Sequence, residues 1–465
     1  MVLSTRPRAA LIVPDELSWT VWGTDPAERG LTPASAPEYA RGLLVPEVVP
    51  AALAGPLVAA LARVPQRPLV IADSGPNVTG SDVAELLGRS AQGSGDHHDS
   101  QHDHGEHGEH GEHGEHGEHG EHGEHGEHGH DMMAIVGDPS ADGLVMEPVE
   151  LELGPLSSSL PGGLIASLRL DGDLVVSCEL RSTLVTGKGR GAVDPLAPVA
   201  WAVAATVATE LADGTNPAPA TAWRRIAAVE LERAVSHLAW LRSVGRLLGW
   251  DQLVACAQRT LQPLLEARRD AGLAATLRGP GAGADARDLA VAAKRAGKLT
   301  GLLEGSRLAA RARGRGRLAS GTAPAGPNGR AAGALRDARG DDPFYRALGF
   351  EPVGGHEGDV EARVLVRARE AVASVALVTD ALARAAAGRG WSEGPGFASP
   401  AGAAVEGPRG PVLASSPGAG AAPLVVAPGA AATAAAAAAA ATDQEWSAAL
   451  LTLVSFDLSG WQVPG

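Results

Sequence analysis

Cysteine is scarce in this chain of 465 residues, which contains only Cys178 and Cys256. Two thiols exclude a disulfide framework, and they exclude a zinc or iron–sulfur site with four cysteines from this chain alone. Aromatic residues are also few, at 3% of the chain. Hydrophobic residues reach 45%, which is enough for a core, but Ala, Leu and Val must fill most of it.

Long apolar runs of the kind that anchor a chain in a membrane are lacking. The uncharged stretch 410–442 is long enough to cross a bilayer, but it contains four prolines and is otherwise rich in Ala. Its run of Ala at 434–441 predicts a soluble helix. The first residues lack an apolar segment of signal-peptide length, so we expect a cytoplasmic protein.

Charge is distributed unevenly along the chain. The formal net charge of -15 comes from 54 acidic and 39 basic residues. Residues 94–131 hold 12 of the acids and 13 of the 15 His, and they contain no Lys or Arg. One abnormal segment therefore interrupts a body that is nearly neutral.

The segment 94–131 repeats the triplet Gly-Glu-His. Gly at every third position opposes a helix, and the lack of apolar residues leaves nothing to bury, so a disordered loop is predicted. Imidazole and carboxylate together suit Ni²⁺ or Zn²⁺, which such a loop would bind loosely. The alternative is a repeat expansion without a function. The candidate ligands are His104, His107, His110, His113, His116, His119, His122, His125, His128 and His130.

Outside this segment, the pattern changes from strands to helices. A strand at 68–73 that leads into a helix from Val83 predicts an α/β region within 1–93. Residues 132–465 are predicted to form one domain, in which an Asp171-Gly172 hairpin joins two early strands. The predicted fold class is α+β, mainly α. The remaining predicted elements are helices at 198–211, 221–248, 251–271, 285–313 and 359–387, a Gly- and Arg-rich loop at 314–342, a hairpin at 404–413, and a final helix that ends near residue 457.

Glu230, Arg233 and His237 are separated by three and four residues, so they share one face of a predicted helix. A charged face of this kind serves a proton or redox site, or it forms a ladder of ion pairs against neighbouring chain. The spacing alone does not separate these two interpretations, and the ladder is the more common arrangement.

Arg363, Arg367 and Glu370 repeat in the same way on another predicted helix. Buried Arg side chains need partners, because an unpaired charge in the interior is costly. Asp337, Asp359 and Glu370 are the predicted partners.

A series of short motifs resembles, in content and in order, the large peripheral-arm subunit of NADH-quinone oxidoreductase, which is respiratory complex I. That subunit shares its fold with the large subunit of [NiFe] hydrogenases. The resemblance covers about 147–465 and implies a divergent member with a hydrogenase-like helical body. The motifs are Gly154-Pro155, Asp171-Gly172, Glu230-Leu-Glu-Arg233, Ser236-His237-Leu238, Gly326-Pro327-x-x-Arg330, Asp337-x-Arg339, Pro343-Phe344, Gly358-Asp359, Arg363-x-x-x-Arg367-x-x-Glu370 and Val405-Glu406-x-Pro408-Arg409.

The resemblance implies scaffold or interface roles for the charged residues of these motifs. For His237 it implies a position near the terminal iron–sulfur cluster of a neighbouring subunit, with a packing role as the alternative. The residues so implied are Glu230, Arg233, His237, Arg330, Asp337, Arg363, Arg367 and Glu370.

Two departures alter the implied site. The family presents His residues to the quinone from a Gly-Pro loop, with a Tyr opposite, whereas this chain has Ser157 and Pro161 at the His positions. In hydrogenases, cysteines hold nickel and iron, whereas Ser459 and Gln462 occupy the C-terminal cysteine positions here. A [NiFe] centre cannot be built without thiolates, and no catalytic residue is evident.

The implied function is that of a subunit in an NADH-quinone oxidoreductase-type complex, which passes electrons from NADH through iron–sulfur clusters to quinone. Its partners would be other subunits, including an iron–sulfur subunit, and it would reach the membrane through them. The chain would bind no covalent cofactor, and the missing ligands favour a degenerate paralogue with an altered quinone site.

The alternative function is a metal-handling assembly or accessory protein that uses the His-rich loop on a non-catalytic scaffold. A basic run that ends at Arg317 is a third feature. It lacks the aromatic residues that stack on bases, so a docking patch is favoured and no nucleic acid partner is predicted.

Overall fold

The computed structural model describes residues 8–22, 24–64, 69–73, 80–82, 148–184, 194–271, 286–306, 312–318, 322, 324–388, 396–418 and 420–463. The His-rich segment 94–131 and the helix predicted from Val83 lie outside these residues. The boundaries predicted at 93 and 131 lie outside them as well, so the division into domains stays a prediction.

Helices make up most of the described chain, which confirms the α+β, mainly α, fold class. Those predicted at 198–211, 221–248, 251–271 and 359–387 are present within two residues of their predicted ends. The helices are α1 (Glu16–Trp22), α2 (Ala51–Ala62), α3 (Pro198–Ala212), α4 (Pro219–Leu247), α5 (Asp251–Ala271), α6 (Ala286–Glu304), α7 (Gly326–Ala331), α8 (Pro343–Ala347), α9 (Val360–Ala386), α10 (Ala430–Ala441) and α11 (Trp446–Ser455).

The strands form small sheets at the edges of this helical body. The strands are β1 (Arg8–Ile12), β2 (Leu31–Pro33), β3 (Gly42–Pro46), β4 (Val48–Pro50), β5 (Leu69–Asp73), β6 (Gly80–Asp82), β7 (Val149–Leu153), β8 (Leu164–Asp171), β9 (Leu174–Ser182), β10 (Ala398–Ser399), β11 (Gly402–Gly407), β12 (Gly410–Ser415), β13 (Leu424–Val426) and β14 (Gln444–Glu445). An N-terminal parallel sheet has the order β2-β1-β3-β5, and two antiparallel sheets have the orders β14-β9-β8-β7 and β10-β11-β12-β13.

The Asp171-Gly172 hairpin is confirmed. Strands β8 and β9 pair antiparallel with Asp171 opposite Leu174, and Gly172 has a φ of 61°. A residue with a side chain is strained at that angle, which is why Gly suits the turn. The predicted hairpin at 404–413 is also present, as β11 and β12.

The prediction of a loop throughout 314–342 is wrong. Helix α7 lies within this range, with Pro327 in its first turn. A 3₁₀ helix follows at Ala338–Asp341, and the Asp337 side chain caps its N-terminus. Both elements are short and rich in Gly and Arg, so they lack the apolar periodicity on which helix prediction depends. The helix predicted at 285–313 ends early, at Glu304.

Helix α4 is the central element, because it packs against both α9 and α5. Its side chains are buried on nearly every face, which an amphipathic surface helix would not allow. Trp240 donates from Nε1 to the carbonyl oxygen of Val454, 3.0 Å away. The last turn of α11 is thereby held against the middle of the chain.

The N-terminal region, residues 8–64, also attaches to α4 through buried polar contacts. Arg242 Nη1 lies 2.9 Å from Asp25 Oδ1, with both side chains fully buried. Trp22 Nε1 donates to the carbonyl oxygen of Pro195 at 2.9 Å. These bonds fix the N-terminal sheet against the body.

Among the described residues, no helix is both long enough and apolar enough to span a bilayer. The run of Ala forms α10, as predicted, and one of its faces packs into the core.

The ion pair of Asp25 and Arg242 gives a stability prediction. Replacing Asp25 with Ala leaves a guanidinium buried without its carboxylate, which costs about 3–5 kcal/mol. Urea unfolding of both proteins measures the difference. Glu38→Ala is the control, because Glu38 pairs with Arg63 at the exposed surface and its loss leaves the unfolding midpoint unchanged. Equal midpoints for Asp25→Ala and the unaltered protein would contradict the prediction.

Candidate functional site

A group of charged side chains lies in the interior where α4, α7, α9 and β11 meet. We call it the buried charge cluster, and within it three guanidinium groups face four carboxyl groups. Each of its charged side chains is at most 2% exposed. Its members are Glu230, Arg233, Arg330, Asp337, Arg339, Glu370 and Glu406.

Arg330 is at the centre of the buried charge cluster. Its Nη1 lies 2.7 Å from Glu406 Oε1 and 3.0 Å from Asp337 Oδ2, and its Nη2 lies 2.7 Å from Glu370 Oε1. Burial acts to lower the pKa of Arg330, but the three carboxylates outweigh burial and raise it. One side chain thus joins α7 to α9 and β11.

Glu230 of α4 accepts bonds from four side chains. Tyr345 Oη donates to it at 2.7 Å, and Ser374 Oγ donates at 2.6 Å. Arg233 Nε and Arg339 Nη1 each lie 3.2 Å from Glu230 Oε2. Burial acts to raise the pKa of Glu230, but the two Arg residues and the hydroxyl donors outweigh it and lower the pKa.

Burial raises the pKa of Glu406, and the nearby Asp337 raises it further. The Arg233 guanidinium donates to the carbonyl oxygens of Glu406 and Gly407, with a distance of 2.8 Å to the second. The cluster has four carboxyl groups and three guanidinium groups. A raised pKa at Glu406 favours its protonated, neutral form, and protonation there brings the net charge of the cluster closer to zero.

His237 lies fully buried beside the cluster, with Nε2 2.9 Å from Glu370 Oε2. Burial lowers its pKa to about 4, although Glu370 acts in the opposite direction, so the imidazole is neutral at physiological pH. Arg330 and His237 outweigh burial to hold the pKa of Glu370 well below its usual range. Nε2 is therefore the donor to Glu370, and Nδ1 has no hydrogen-bond partner among the described residues.

Arg363 does not bind the acids predicted for it. It donates to Ser455 Oγ and to the carbonyl oxygens of Gly316 and Gly358, at 2.7–2.9 Å. The Asp359 carboxylate instead caps α9 by accepting from the amide of Ala362. The reason is geometric, because Asp359 sits at the helix terminus, where unpaired amides need an acceptor.

Arg367 binds the C-terminal segment in a similar way. It donates to Asn328 Oδ1 and to the carbonyl oxygen of Phe456, each at 3.0 Å, and its guanidinium lies 4.7 Å from the Trp240 ring centroid. Its nearest carboxylate is Asp457, at 3.8 Å. The two arginines thus fix the segment after α11 on α9.

That segment contains Ser459 and Gln462, the two positions predicted to correspond to hydrogenase cysteines. Ser459 Oγ donates to Asp194 Oδ1 at 3.1 Å, and Gln462 Nε2 donates to Asp194 Oδ2. Asp457 pairs with Arg409 at 2.9 Å. In the described part of the chain, no three His, Cys, Asp or Glu side chains are grouped so that they could hold a metal ion.

Ser157 and Pro161 lie on a loop between β7 and β8. Ser157 Oγ accepts from the amides of Ser159 and Leu160, at 3.1 and 3.4 Å, so the hydroxyl stabilises the loop's own turn. The loop starts at Gly154, where a Cβ atom would lie 2.0 Å from the carbonyl oxygen of Leu164. Only Gly allows that close approach.

The loop forms part of a cavity of about 360 Å³ between the N-terminal region and the body, which we call the interface cavity. The structure therefore brings Ser157 and Pro161 together in one place and brings Glu230, Arg233, His237, Arg330, Asp337 and Glu370 together in another. Four further residues, which were not predicted as site residues, lie in the two charged groups and within or next to the quoted motifs: Arg339, Tyr345, Glu406 and Arg409.

Residues 292–409 match the family described as "Respiratory-chain NADH dehydrogenase, 49 Kd subunit". The resemblance predicted from the motifs is confirmed over this segment. The matched segment contains Arg330, Asp337, Glu370 and Glu406.

One similar solved structure is a chain of the membrane-bound sulfane sulfur reductase, an archaeal respiratory membrane complex. The TM-score is 0.55 at 19% sequence identity, and the match covers 68% of this chain and 98% of that chain. At this identity the likeness shows the fold alone. No curated protein matches the chain.

His237 gives a prediction of pH dependence. Its pKa is about 4 in the folded protein and about 6.5 in an unfolded chain. The unfolded chain then binds more protons, so stability is lost as the pH falls from 6.5 toward 4. When the pH is lowered from 7.5 to 5, the free energy of unfolding of the protein should fall by about 2 kcal/mol more than that of a His237→Gln variant, which keeps a donor for Glu370.

Urea unfolding at the two pH values measures this difference. His356→Gln is the control, because His356 is exposed. If the free energy of unfolding falls equally in the protein and in the His237→Gln variant, His237 is not the cause of the pH dependence.

Proposed function

We propose that this chain is a subunit of a membrane-associated, NADH-quinone oxidoreductase-type complex. In that complex it contributes to the transfer of electrons from NADH through iron–sulfur clusters to quinone, at an altered quinone site. Its partners are other subunits, including an iron–sulfur subunit. It is cytoplasmic and peripheral, and it contacts the membrane through those partners.

The chemistry of the loop between β7 and β8 carries the proposal of an altered site. Ser157 Oγ is engaged by two amides of its own loop, and Pro161 has no polar side chain. Tyr345 donates its hydroxyl to Glu230 in the interior, at 2.7 Å, and is 1% exposed. Pro161 offers no proton, the Tyr345 hydroxyl donates to Glu230, and the Ser157 hydroxyl is a far weaker acid than an imidazolium, so we infer a degenerate paralogue.

The buried charge cluster supports a scaffold role for this subunit. Removing one member of a buried ion pair costs about 3–5 kcal/mol, so such a cluster holds its helices in one arrangement. His237, which is neutral and bonded to Glu370, belongs to that scaffold. A rigid core of this kind suits a subunit that must present fixed surfaces to several neighbours.

The proposal predicts the effect of substitutions in the loop. In the purified complex, Ser157→Ala and Pro161→Ala should change quinone reduction by less than about twofold, because neither side chain can act as the general acid for a quinone oxygen. Arg330→Met is the matched control for assembly, and it should remove the subunit from the complex. Quinone reduction that is abolished by the loop substitutions, with assembly intact, would refute the altered site.

The alternative function, metal handling by the His-rich segment, is favoured by 13 His within 94–131. Deletion of residues 96–130 separates the two functions. Under the main proposal, assembly and electron transfer are unchanged, and only loosely bound Ni²⁺ or Zn²⁺ is lost, as measured by elemental analysis of the purified protein. Failure to load metal into a partner after the deletion would favour the alternative.

A further inference from the structure

We infer that the ends of five helices form a binding pocket for the alkyl chain of a lipid that carries no net charge. The pocket has a volume of about 430 Å³ and lies where α4 and α6 end and where α5, α9 and α11 begin. We call it the helix-end pocket. The inference goes beyond the proposed function, because the pocket takes a single lipid molecule and needs no partner subunit.

The floor of the helix-end pocket is apolar and buried. Each of the five helices contributes to it, and each of its side chains is at most 6% exposed. These side chains offer a ligand no hydrogen bond, so they suit a hydrocarbon, and the volume is within the range of sites that bury small ligands. The floor consists of Val244, Leu253, Leu303, Val360, Val364 and Ala448.

Around this floor, the lining stays apolar but is only half-buried. Partly exposed apolar side chains that surround one concavity mark a site for a ligand. Two of them are tryptophans, which suit a boundary between apolar and wet surroundings. The mouth therefore fits an amphiphile whose alkyl chain enters and whose polar head stays outside. The half-buried lining consists of Leu247, Leu248, Trp250, Trp446, Leu450 and Leu451.

The charges at the mouth of the helix-end pocket are balanced. The charged residues on the described part of its lining are Arg315 and Glu361. Glu361 pairs with Arg313, whose Nε lies 2.6 Å from Oε2. The hydroxyl and amide of Ser447 hold the pKa of the exposed Glu445 below its ordinary value, and Arg315 adds to that effect. Because these charges face charges of opposite sign, a charged head group gains little there, and a head group without net charge fits.

Bonds and close contacts within the chain hold the walls of the helix-end pocket in place. An added Cβ atom at Gly245 would lie 3.0 Å from Val254 Cγ2, so α4 and α5 meet closely at this end. Arg363 Nε donates to Ser455 Oγ at 2.8 Å, which ties α11 to α9. The Trp446 amide donates to the carbonyl oxygen of Asp173 at 2.7 Å. Fixed walls reduce the entropy that is lost when a ligand binds.

The helix-end pocket is separate from the interface cavity. Among the residues that the structure describes, Leu247 alone lines both. Ser157 and Pro161 line the interface cavity, and so does Ser243, one turn before Leu247 on α4. Substitutions can therefore distinguish a ligand in one cavity from a ligand in the other.

Binding to the purified full-length chain tests the inference. The probe is dodecyl maltoside brominated on its alkyl chain, an uncharged amphiphile, used below its critical micelle concentration. Bromine quenches tryptophan fluorescence on contact, so we expect saturable quenching, with one molecule bound per chain in native mass spectrometry. The double variant Trp250→Phe/Trp446→Phe should still bind the probe but lose most of the quenching.

Two further variants address affinity. Ser447→Phe fills the mouth from an exposed position, where a larger side chain does not burden folding. Leu451→Glu places a charge on the half-buried lining. Each should weaken binding by about tenfold or more. Ser243→Phe is the matched control, because it acts in the interface cavity instead, and its affinity for the probe should be unchanged.

Unchanged affinity in Ser447→Phe and Leu451→Glu would overturn the site, and so would undiminished quenching in the double variant. Laurate, an anion with an alkyl chain of similar length, should compete no better than unbrominated dodecyl maltoside, and tighter binding of laurate would overturn the uncharged head group. A dimeric chain that binds no probe would overturn the lipid and indicate that a second copy covers the pocket.

Discussion

The arrangement of the helices in the body depends on the ion pairs that the Arg330 guanidinium forms. Arg330 lies on α7, a helix of six residues that could not persist alone, and it binds carboxylates from α9, β11 and the turn at Asp337. Those carboxylates also bind Arg339 and His237, so the charges of four elements are satisfied only together. Apolar packing would tolerate small shifts between helices, whereas this set of hydrogen bonds allows one arrangement.

The helices could be predicted because they are long and periodic, and the charged face of α4 followed from the spacing of Glu230, Arg233 and His237. The partners of those charges could not be predicted. Spacing places residues on a face, but it does not identify the chain that will cover that face. Arg363 is an example. Carboxylates were predicted as its partners, but it donates mainly to backbone carbonyl oxygens, and nothing in the sequence marks those carbonyls out from others. The attachment of Asp25 to Arg242 had no local signal for the same reason.

Fold and chemistry have separated in this molecule. At the two positions that the sequence predicts to correspond to hydrogenase cysteines, Ser459 and Gln462 both donate to one carboxylate, that of Asp194. Burial raises the pKa of Asp194, and Arg409, the Leu196 amide and the Ser459 hydroxyl offset part of that effect. Groups that stabilise the fold thus occupy the two positions for which the resemblance predicts cysteines in hydrogenases, and a shared architecture does not by itself carry a shared chemistry.

Helix α4 has a further consequence for how the chain comes together. Arg242 binds a residue 217 positions before it, and Trp240 binds one 214 positions after it, so neighbouring turns of a single helix hold distant parts of the chain. During synthesis, the N-terminal region can attach as soon as α4 has formed. Helices α5 and α9 cover further faces of α4 as they are made. The contact of Trp240 can form only after Val454 has been made, so the packing around α4 is completed near the end of the chain.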